Sequence, residues 1–302
     1  MPEAVEVELV RQSISKEFLG KKLITYNFLK GKFYKKAPPL FQNFKYDLCR
    51  VNDSNNLNKS MKLVDVTRKG KLLCLKFQIG DKNSKESKTW WVCNYFGLHG
   101  MYRKNEEKLL PNYDKYQKEL NIALEFKDIN NDIEDIQEES TFLTFYDTSG
   151  YGTSFNFFNN SDKYLKNLYK LAIDIFDDEF TLGQFIENFK IIKKKRLKRV
   201  EICCILINQG YLCSGIGNYM KCEILYEAEL SPFHSINDLT NEQIEKLYQS
   251  IKIVSQRHLD ANGKNQELMK VYHKDKDSNG NKVVYEKTPD GKKTYWVPEI
   301  QK

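Results

Sequence analysis

Apolar residues in this chain change their period part-way along, and that change constrains the fold more than any other feature. From Lys22 to Tyr146 they run in short strand-like stretches: Lys22 to Tyr34, Leu63 to Val66, Leu72 to Phe77, Thr89 to Phe96 and Thr141 to Tyr146. From about Ser161 the spacing becomes helical, with Tyr164, Leu165, Leu168, Leu171 and Ala172 on one face, then Phe180 to Phe189 and Val200 to Gln209. A single helix precedes the strands, because Val7, Val10, Ile14 and Phe18 recur at steps of three and four. The chain closes on another β signal: Val283-Val284-Tyr285 and Thr294-Tyr295-Trp296-Val297 flank the turn pair Asp290-Gly291. The pattern predicts an α+β protein, with a mostly β domain over residues 1–155, a linker at 156–163 and a helical domain over 164–302.

A length of 302 residues is enough for two such domains, each with its own core. No run of 18 apolar residues exists and the mean hydropathy is −0.62, which excludes a spanning helix. The start, Met1-Pro2-Glu3-Ala4-Val5-Glu6, lacks the basic and apolar regions of a secretory signal, so an intracellular protein is expected. Seven cysteines, an odd number without C-x-x-C spacing, read as buried free thiols, and four scattered histidines form no local zinc cluster. A net charge of +7, from 48 Lys and Arg against 41 Asp and Glu, permits an anionic partner without requiring one.

Three short segments could carry chemistry. Removal of Met1 would leave Pro2 with a secondary amine whose pKa lies well below that of lysine, a nucleophile at neutral pH, with Glu3 beside it for proton transfer. Alone, Met-Pro-Glu reads first as an ordinary helix start. The glycine turn Gly215-Ile216-Gly217, with Asn218 placed to cap the next helix, presents backbone amides where an anion is favoured. The basic run Lys193 to Arg199 lies one helix upstream, which suggests a nucleic-acid phosphate, although an ordinary helical corner and a solvated basic face fit as well. Lys71, in the turn Thr67-Arg68-Lys69-Gly70-Lys71, is either a phosphate contact or an exposed hairpin lysine.

In combination these segments resemble the Fpg/Nei family of DNA glycosylases. Three blocks carry the resemblance: Met1-Pro2-Glu3-x-x-Glu6-Val7-Glu8, Arg68-Lys69-Gly70-Lys71-Leu72-Leu73, and Asn208-Gln209-Gly210 through Gly215-Ile216-Gly217-Asn218-Tyr219 to Glu223-Ile224-Leu225-Tyr226-Glu227-Ala228. The resemblance implies a two-layer β-sandwich behind the N-terminal helix, and a helical domain carrying a helix-two-turn-helix at about 200–232. It also implies a bifunctional glycosylase and AP lyase of base-excision repair. Pro2 would be the nucleophile that forms a Schiff base with C1′, and Glu3 the acid that protonates the deoxyribose ring oxygen. Glu6 would support them, Lys71 would bind phosphate and assist β,δ-elimination, and Asn218 would hold a phosphate. The damaged base would be flipped out of the stack.

The sequence also departs from the family pattern. The usual finger holds zinc on four cysteines, whereas no Cys follows Cys222 here, so residues 273–302 resemble the metal-free hairpin of zincless-finger members and no metal or cofactor is expected. Where the family has the finger arginine this chain has Asp290 to Trp296, in which Lys292 is the best match and Lys293 the alternative; lysine keeps the charge and loses the bidentate fork. Of the residues that fill the gap left by a flipped base, Leu98 stands for Met, Ser149 for Arg and Tyr151 for Phe. The segment from Arg257 to Tyr272 is shorter than the loop that covers 8-oxoguanine, which favours oxidised pyrimidines and ring-opened or hydantoin purines. The expected partner is damaged double- or single-stranded DNA met by a monomer, with no membrane role. A non-catalytic damage sensor using the helix-two-turn-helix is the alternative, and an RNA-binding module a third. Richness in Asn, Lys, Ile and Tyr suggests an AT-rich genome.

Overall fold

The computed structural model describes residues 2–53, 60–80, 87–105, 120–128, 140–149, 151–168, 170–194, 200–262 and 265–302, with backbone alone at 105, 120, 121 and 265. Most of the basic run, residues 195–199, lies outside the described residues, as do the loops at 54–59 and 81–86 and most of the acidic stretch at 129–139. The chain divides into two compact units. The first contains Pro2, Val10–Arg68 and Leu72–Lys166; the second contains Glu3–Leu9, Lys69–Lys71 and Asn167–Lys302.

Helix α1 (Ala4–Phe18) opens the chain, followed by β1 (Lys22–Lys30), the short α2 (Lys32–Lys35) and α3 (Phe41–Asn52). Strands β2 (Met61–Lys69), β3 (Leu72–Ile79), β4 (Lys88–Phe96), β5 (Met101–Asn105), β6 (Leu120–Lys127), β7 (Thr141–Asp147) and β8 (Thr153–Phe158) come next, and α4 (Ser161–Leu168) follows. Among the described residues these strands form one antiparallel hydrogen-bonded sheet in the order β5-β7-β6-β1-β2-β3-β4-β8. The sheet folds over itself near the Lys22–Lys62 pair that joins β1 to β2. Its halves meet through aromatic rings: Tyr26 lies 5.7 Å from Phe157, and Phe28 lies 5.7 Å from Phe155 between ring centroids. These contacts make the two layers of a β-sandwich.

Within β1, Leu23 and Tyr26 are both buried although they are three residues apart. A register shift between Leu23 and Thr25 resets the alternation that a regular strand would keep. Helix α3 lies in a stretch for which the sequence reading proposed no element. It buries Phe41, Phe44, Leu48 and Val51, and its Asp47 accepts from Lys88 Nζ at 2.9 Å and Trp90 Nε1 at 3.0 Å. The expected linker is also not a linker throughout, because β8 continues to Phe158 and α4 begins at Ser161. Of the expected buried thiols, Cys49 on α3 is exposed and Cys204 half-buried.

The second unit holds α5 (Leu182–Lys194), α6 (Ile202–Ile207), α7 (Asn218–Glu227), α8 (Asn241–Asp260), α9 (Asn265–Leu268) and the hairpin β9 (Val284–Lys287) and β10 (Lys293–Trp296). Helix α8 starts on a capping box, in which Thr240 Oγ1 accepts the Gln243 N–H at 3.2 Å and the Gln243 side chain accepts the Thr240 N–H at 2.9 Å. Its apolar face, Ile244, Leu247, Ile251 and Val254, packs with Phe185, Phe189, Ile205, Leu206 and Ile224 in one core that Ala4 and Val5 of α1 also enter. A smaller cluster of Cys222, Tyr226, Val271, Val283, Tyr295 and Val297 packs α7 against the hairpin. Helix α7 is therefore buried on every side from Tyr219 to Tyr226. Among the described residues no helix is long and apolar enough to cross a membrane.

Candidate active site

The second unit draws together the start of α1, the turn between β2 and β3, and the start of α7. The turn 208–217 builds the platform. Gln209 donates to the carbonyls of Ile207 and Ile216 at 2.8 Å each, and its Oε1 accepts the Gly215 N–H at 2.8 Å. Gly215 sits at φ +114° and its carbonyl accepts the Ala4 N–H at 3.0 Å; a Cβ there would lie 2.6 Å from that of Ala4. The chain start is thus pinned to the loop that precedes α7.

Glu3 is the centre of the arrangement, with 1% of its surface exposed. Its Oε2 accepts the N–H groups of Gly217 at 2.6 Å and Met220 at 3.3 Å, and its Oε1 accepts that of Tyr219 at 3.1 Å. The sequence suggested Asn218 as the cap of α7 and an external anion for these amides. The structure makes Gly217 the cap residue and fills the amide nest with the protein's own carboxylate, an anion at a helix N-terminus. Gly217 is required by close approach, since a Cβ there would collide with the Glu3 carboxyl and lie 2.6 Å from Lys71 Nζ.

Glu6 adds a second tier. Its Oε2 accepts the Glu3 N–H at 2.8 Å, and its Oε1 accepts the Tyr219 hydroxyl at 2.9 Å. Burial, ahead of the Glu6 charge, holds that hydroxyl far above the ordinary tyrosine pKa, so it stays a donor. Burial also pushes the Glu3 carboxyl up to about 7; Lys71 and the helix amides oppose the shift and Glu6 adds to it. Lys71 moves down from the usual lysine value because it is desolvated; Glu3 and Glu6 oppose that change and Lys292 reinforces it. A carboxyl that exchanges its proton near neutrality therefore lies beside an ammonium of reduced basicity, immediately after Pro2 in the chain. That pairing suits proton transfer at neutral pH.

Asp174, which the sequence reading did not single out, fixes the lysine turn. Its fully buried carboxylate accepts the Gly70 N–H in a short hydrogen bond and the Phe176 N–H at 2.8 Å. A lone aspartate between apolar residues gave no sign of this partner 104 positions away.

The other anticipated residues fall in two places. On the hairpin, Lys292 is exposed, whereas Lys293 Nζ sits 3.4 Å from the centroid of Tyr285, and the Asn218 side-chain amide donates to the Lys293 carbonyl at 3.0 Å. In the first unit, Leu98 and Tyr151 are 40% and 72% exposed, and the Leu98 N–H donates to the Tyr151 carbonyl at 3.1 Å. Ser149 turns away into the loop, its hydroxyl 3.1 Å from Asp147 Oδ1. The hairpin does not suit a zinc centre: residues 273–302 contain no cysteine, and the ring of His273 is 2.9 Å from the Tyr295 hydroxyl.

Comparison with known proteins places this arrangement. The family model for the formamidopyrimidine-DNA glycosylase N-terminal domain matches residues 1–148, and that for the C-terminal domain matches residues 258–302. A formamidopyrimidine-DNA glycosylase of Arabidopsis thaliana is 26% identical over all of this chain and 71% of its own length. An Endonuclease 8 of Pectobacterium carotovorum is 26% identical over 45% of this chain and 54% of its own. The crystal structure of Lactococcus lactis formamidopyrimidine-DNA glycosylase bound to DNA containing an AP site superposes with a TM-score of 0.75 at 21% identity, covering 99% of each chain, which establishes the fold. With both of its domain models present in order and relatives from both of its branches, the chain belongs to the Fpg/Nei family of DNA glycosylases.

Proposed function

We propose that this chain excises oxidised bases from DNA and then cuts the strand at the resulting abasic site, working through an N-terminal proline. In this reading the Pro2 amine attacks C1′ of the damaged nucleotide and Glu3 donates its proton to the deoxyribose ring oxygen. The C1′–base bond breaks with its electron pair leaving on the base, which takes up the proton lost from the amine; the C1′–O4′ bond then opens with its pair on the oxygen that Glu3 protonates, and an iminium remains between Pro2 and C1′. Loss of a C2′ proton then expels the 3′ phosphate, and a second elimination expels the 5′ phosphate. Lys71 binds the phosphate beside the lesion; Asn218 and Lys292 contact the backbone; Leu98 and Tyr151 occupy the gap left by the flipped base, with Ser149 in the place of the family's arginine. Glu6 positions the chain start through the Glu3 amide.

One observation carries the reading: a buried carboxyl with a pKa of about 7 follows Pro2 directly and shares its surroundings with Lys71. The substrate preference rests on the segment from Arg257 to Tyr272, shorter than the loop that covers 8-oxoguanine. At its end the Glu223 carboxylate accepts the N–H groups of Lys270 at 2.8 Å, Val271 at 3.0 Å and Tyr272 at 2.8 Å. So short a segment offers little to cover a flipped 8-oxoguanine, which favours oxidised pyrimidines and ring-opened or hydantoin purines.

Borohydride trapping on abasic-site DNA tests the chemistry. A covalent adduct is expected from the protein with Pro2 at its N-terminus, and none from Pro2→Gly. Absence of any adduct, together with retained DNA binding, would mean a damage sensor instead. Duplexes carrying one lesion each test the preference, and efficient release of 8-oxoguanine opposite C overturns it.

A further inference from the structure

A fully buried ion pair joins α7 to the tip of the C-terminal hairpin. Lys221 and Asp290 side chains are 0% and 3% exposed, and Lys221 Nζ lies 2.5 Å from Asp290 Oδ2. The ammonium also donates to Thr294 Oγ1 at 2.8 Å. Asp290 uses its other oxygen on the hairpin turn itself, accepting the Thr288 hydroxyl at 2.6 Å and the Lys292 N–H at 2.8 Å. The threonine hydroxyls close the ring, 2.7 Å apart, and Thr288 Oγ1 is also 3.1 Å from the Lys292 carbonyl. Lys292 is therefore held at its N–H by the carboxylate that faces the buried ammonium, and at its C=O by the Thr288 N–H at 3.0 Å.

Two further links tie the same helix to the same strand: the Asn218 amide reaches the Lys293 carbonyl at 3.0 Å, and the Tyr295 N–H points at Cys222 Sγ at 3.4 Å. Lys293 is committed to the Tyr285 ring, which leaves Lys292 to project from the turn. The Lys292 charge is felt at Lys71, where it helps to depress the lysine pKa. A buried pair of this kind is a poor source of stability, because desolvation offsets the attraction between the charges, and in some proteins it serves instead to specify one geometry.

We propose that Lys221 and Asp290 are positioning residues that do for this metal-free hairpin what a bound ion does for a finger: they cross-link its turn to α7 and so fix Lys292 as a phosphate contact in register with Asn218. This deepens the reading above and rests on it. One carboxylate serves both sides of the cross-link, Oδ2 toward the helix and Oδ1 toward the turn. Loss of either partner frees the turn while Lys292 itself remains.

The test is the salt dependence of binding to a duplex containing a tetrahydrofuran abasic-site analogue, measured for the full chain, Lys292→Ala, Lys221→Met, Asp290→Asn, and the Lys221→Met/Asp290→Asn and Lys221→Met/Lys292→Ala doubles. Each phosphate contact contributes about 0.9 to the slope of log K against log salt. Lys292→Ala is expected to lower that slope by about 1, Lys221→Met to lower it by the same amount, and the Lys221→Met/Lys292→Ala double to lower it no further. Removing both buried charges avoids the uncompensated charge that each single variant leaves, so Lys221→Met/Asp290→Asn is expected to recover melting temperature over the singles while keeping the shallow slope. A merely structural pair would restore both together, and that result overturns the proposal, as does a full slope in Lys221→Met. An unchanged slope in Lys292→Ala would instead remove Lys292 from the phosphate contacts, which fails the underlying reading and the proposal with it. Abasic-site trapping by the same variants reports separately on Pro2 and Glu3.

Discussion

Glu3 Oε2 accepts the Gly217 N–H at 2.6 Å, so the acid beside Pro2 serves as the N-terminal anion of a helix whose cap residue lies 214 positions later. The same three amides that orient the carboxylate also satisfy the open end of α7, which couples the geometry of the acid to the fold of the helix. Gly217→Ala places a methyl group on the Glu3 carboxyl and against Lys71 Nζ. Displacing a reacting group by about 1 Å costs on the order of 100-fold in rate. Single-turnover excision by Gly217→Ala is expected to fall by about that factor with DNA binding largely kept. An unaffected rate would show that Glu3 does not need this seat.

The pH profile follows from the Glu3 carboxyl, held at about 7 chiefly by burial. If its acid form drives excision, the rate declines as pH rises through 7. Lys71 opposes the upward shift, so Lys71→Gln pushes the Glu3 pKa higher and moves the declining limb to more alkaline pH, whatever it does to the maximum rate. Stability carries the same signature with a definite sign. Between the ordinary value of 4.5 and about 7 the folded state binds the proton that the unfolded state has released, so stability falls as pH rises across that window. At about 1.4 kcal/mol per unit the change amounts to about 3 kcal/mol. Glu3→Gln is expected to flatten urea-unfolding stability between pH 4.5 and 7, and a Glu3→Gln protein with the parental pH dependence contradicts the assignment.

Asp174 is expected to govern Lys71 from beneath. Asp174→Ala leaves the buried Gly70 N–H and the half-buried Phe176 N–H without this acceptor. Losing a charged acceptor at a buried site costs about 1.5–3 kcal/mol. Because Gly70 immediately precedes Lys71, the loosened turn also slows borohydride adduct formation. Asp174→Asn retains one acceptor oxygen and should fall between Asp174→Ala and the parent in both measurements. A loss of stability without slower trapping would confine Asp174 to folding.

The candidate site residues are legible in the sequence because they sit in short blocks whose spacing is local: Pro2 with Glu3, Lys71 in its turn, Asn218 after the glycines. What those residues hold was less legible, because it depends on partners remote in sequence. Asn218 is a favourable cap residue on local grounds, yet its side chain serves Lys293 and Glu3 supplies the anion. Lys221 lies on a helix with apolar neighbours and gives no local sign of Asp290, 69 positions later. The spacing of Phe41, Phe44, Leu48 and Val51 was a helical signal open to reading, and α3 is where it folded. Helix α7 is buried all round, Lys221 and Glu223 included, because the helical core and the hairpin cover it from different sides, which local spacing does not show.

The last expectation concerns the base opposite the lesion. Leu98 and Tyr151 sit on two turns tied by the Leu98 N–H to Tyr151 carbonyl bond, and both present apolar surface outward. An exposed tyrosine ring offers stacking worth about 1–3 kcal/mol against a base, so Tyr151→Ala should weaken binding to lesion-containing DNA by about 10-fold or more. Ser149 offers no comparable reading of the opposite base. Its hydroxyl is bound to Asp147, and it lacks the paired donors with which an arginine distinguishes guanine. Excision of one pyrimidine lesion placed opposite A, C, G and T in turn should therefore vary little. Ser149→Arg should widen the spread, since it restores a long side chain with two parallel donors at that position. Strong discrimination by the parent protein, or none gained by Ser149→Arg, would move the reading of the opposite base to other residues.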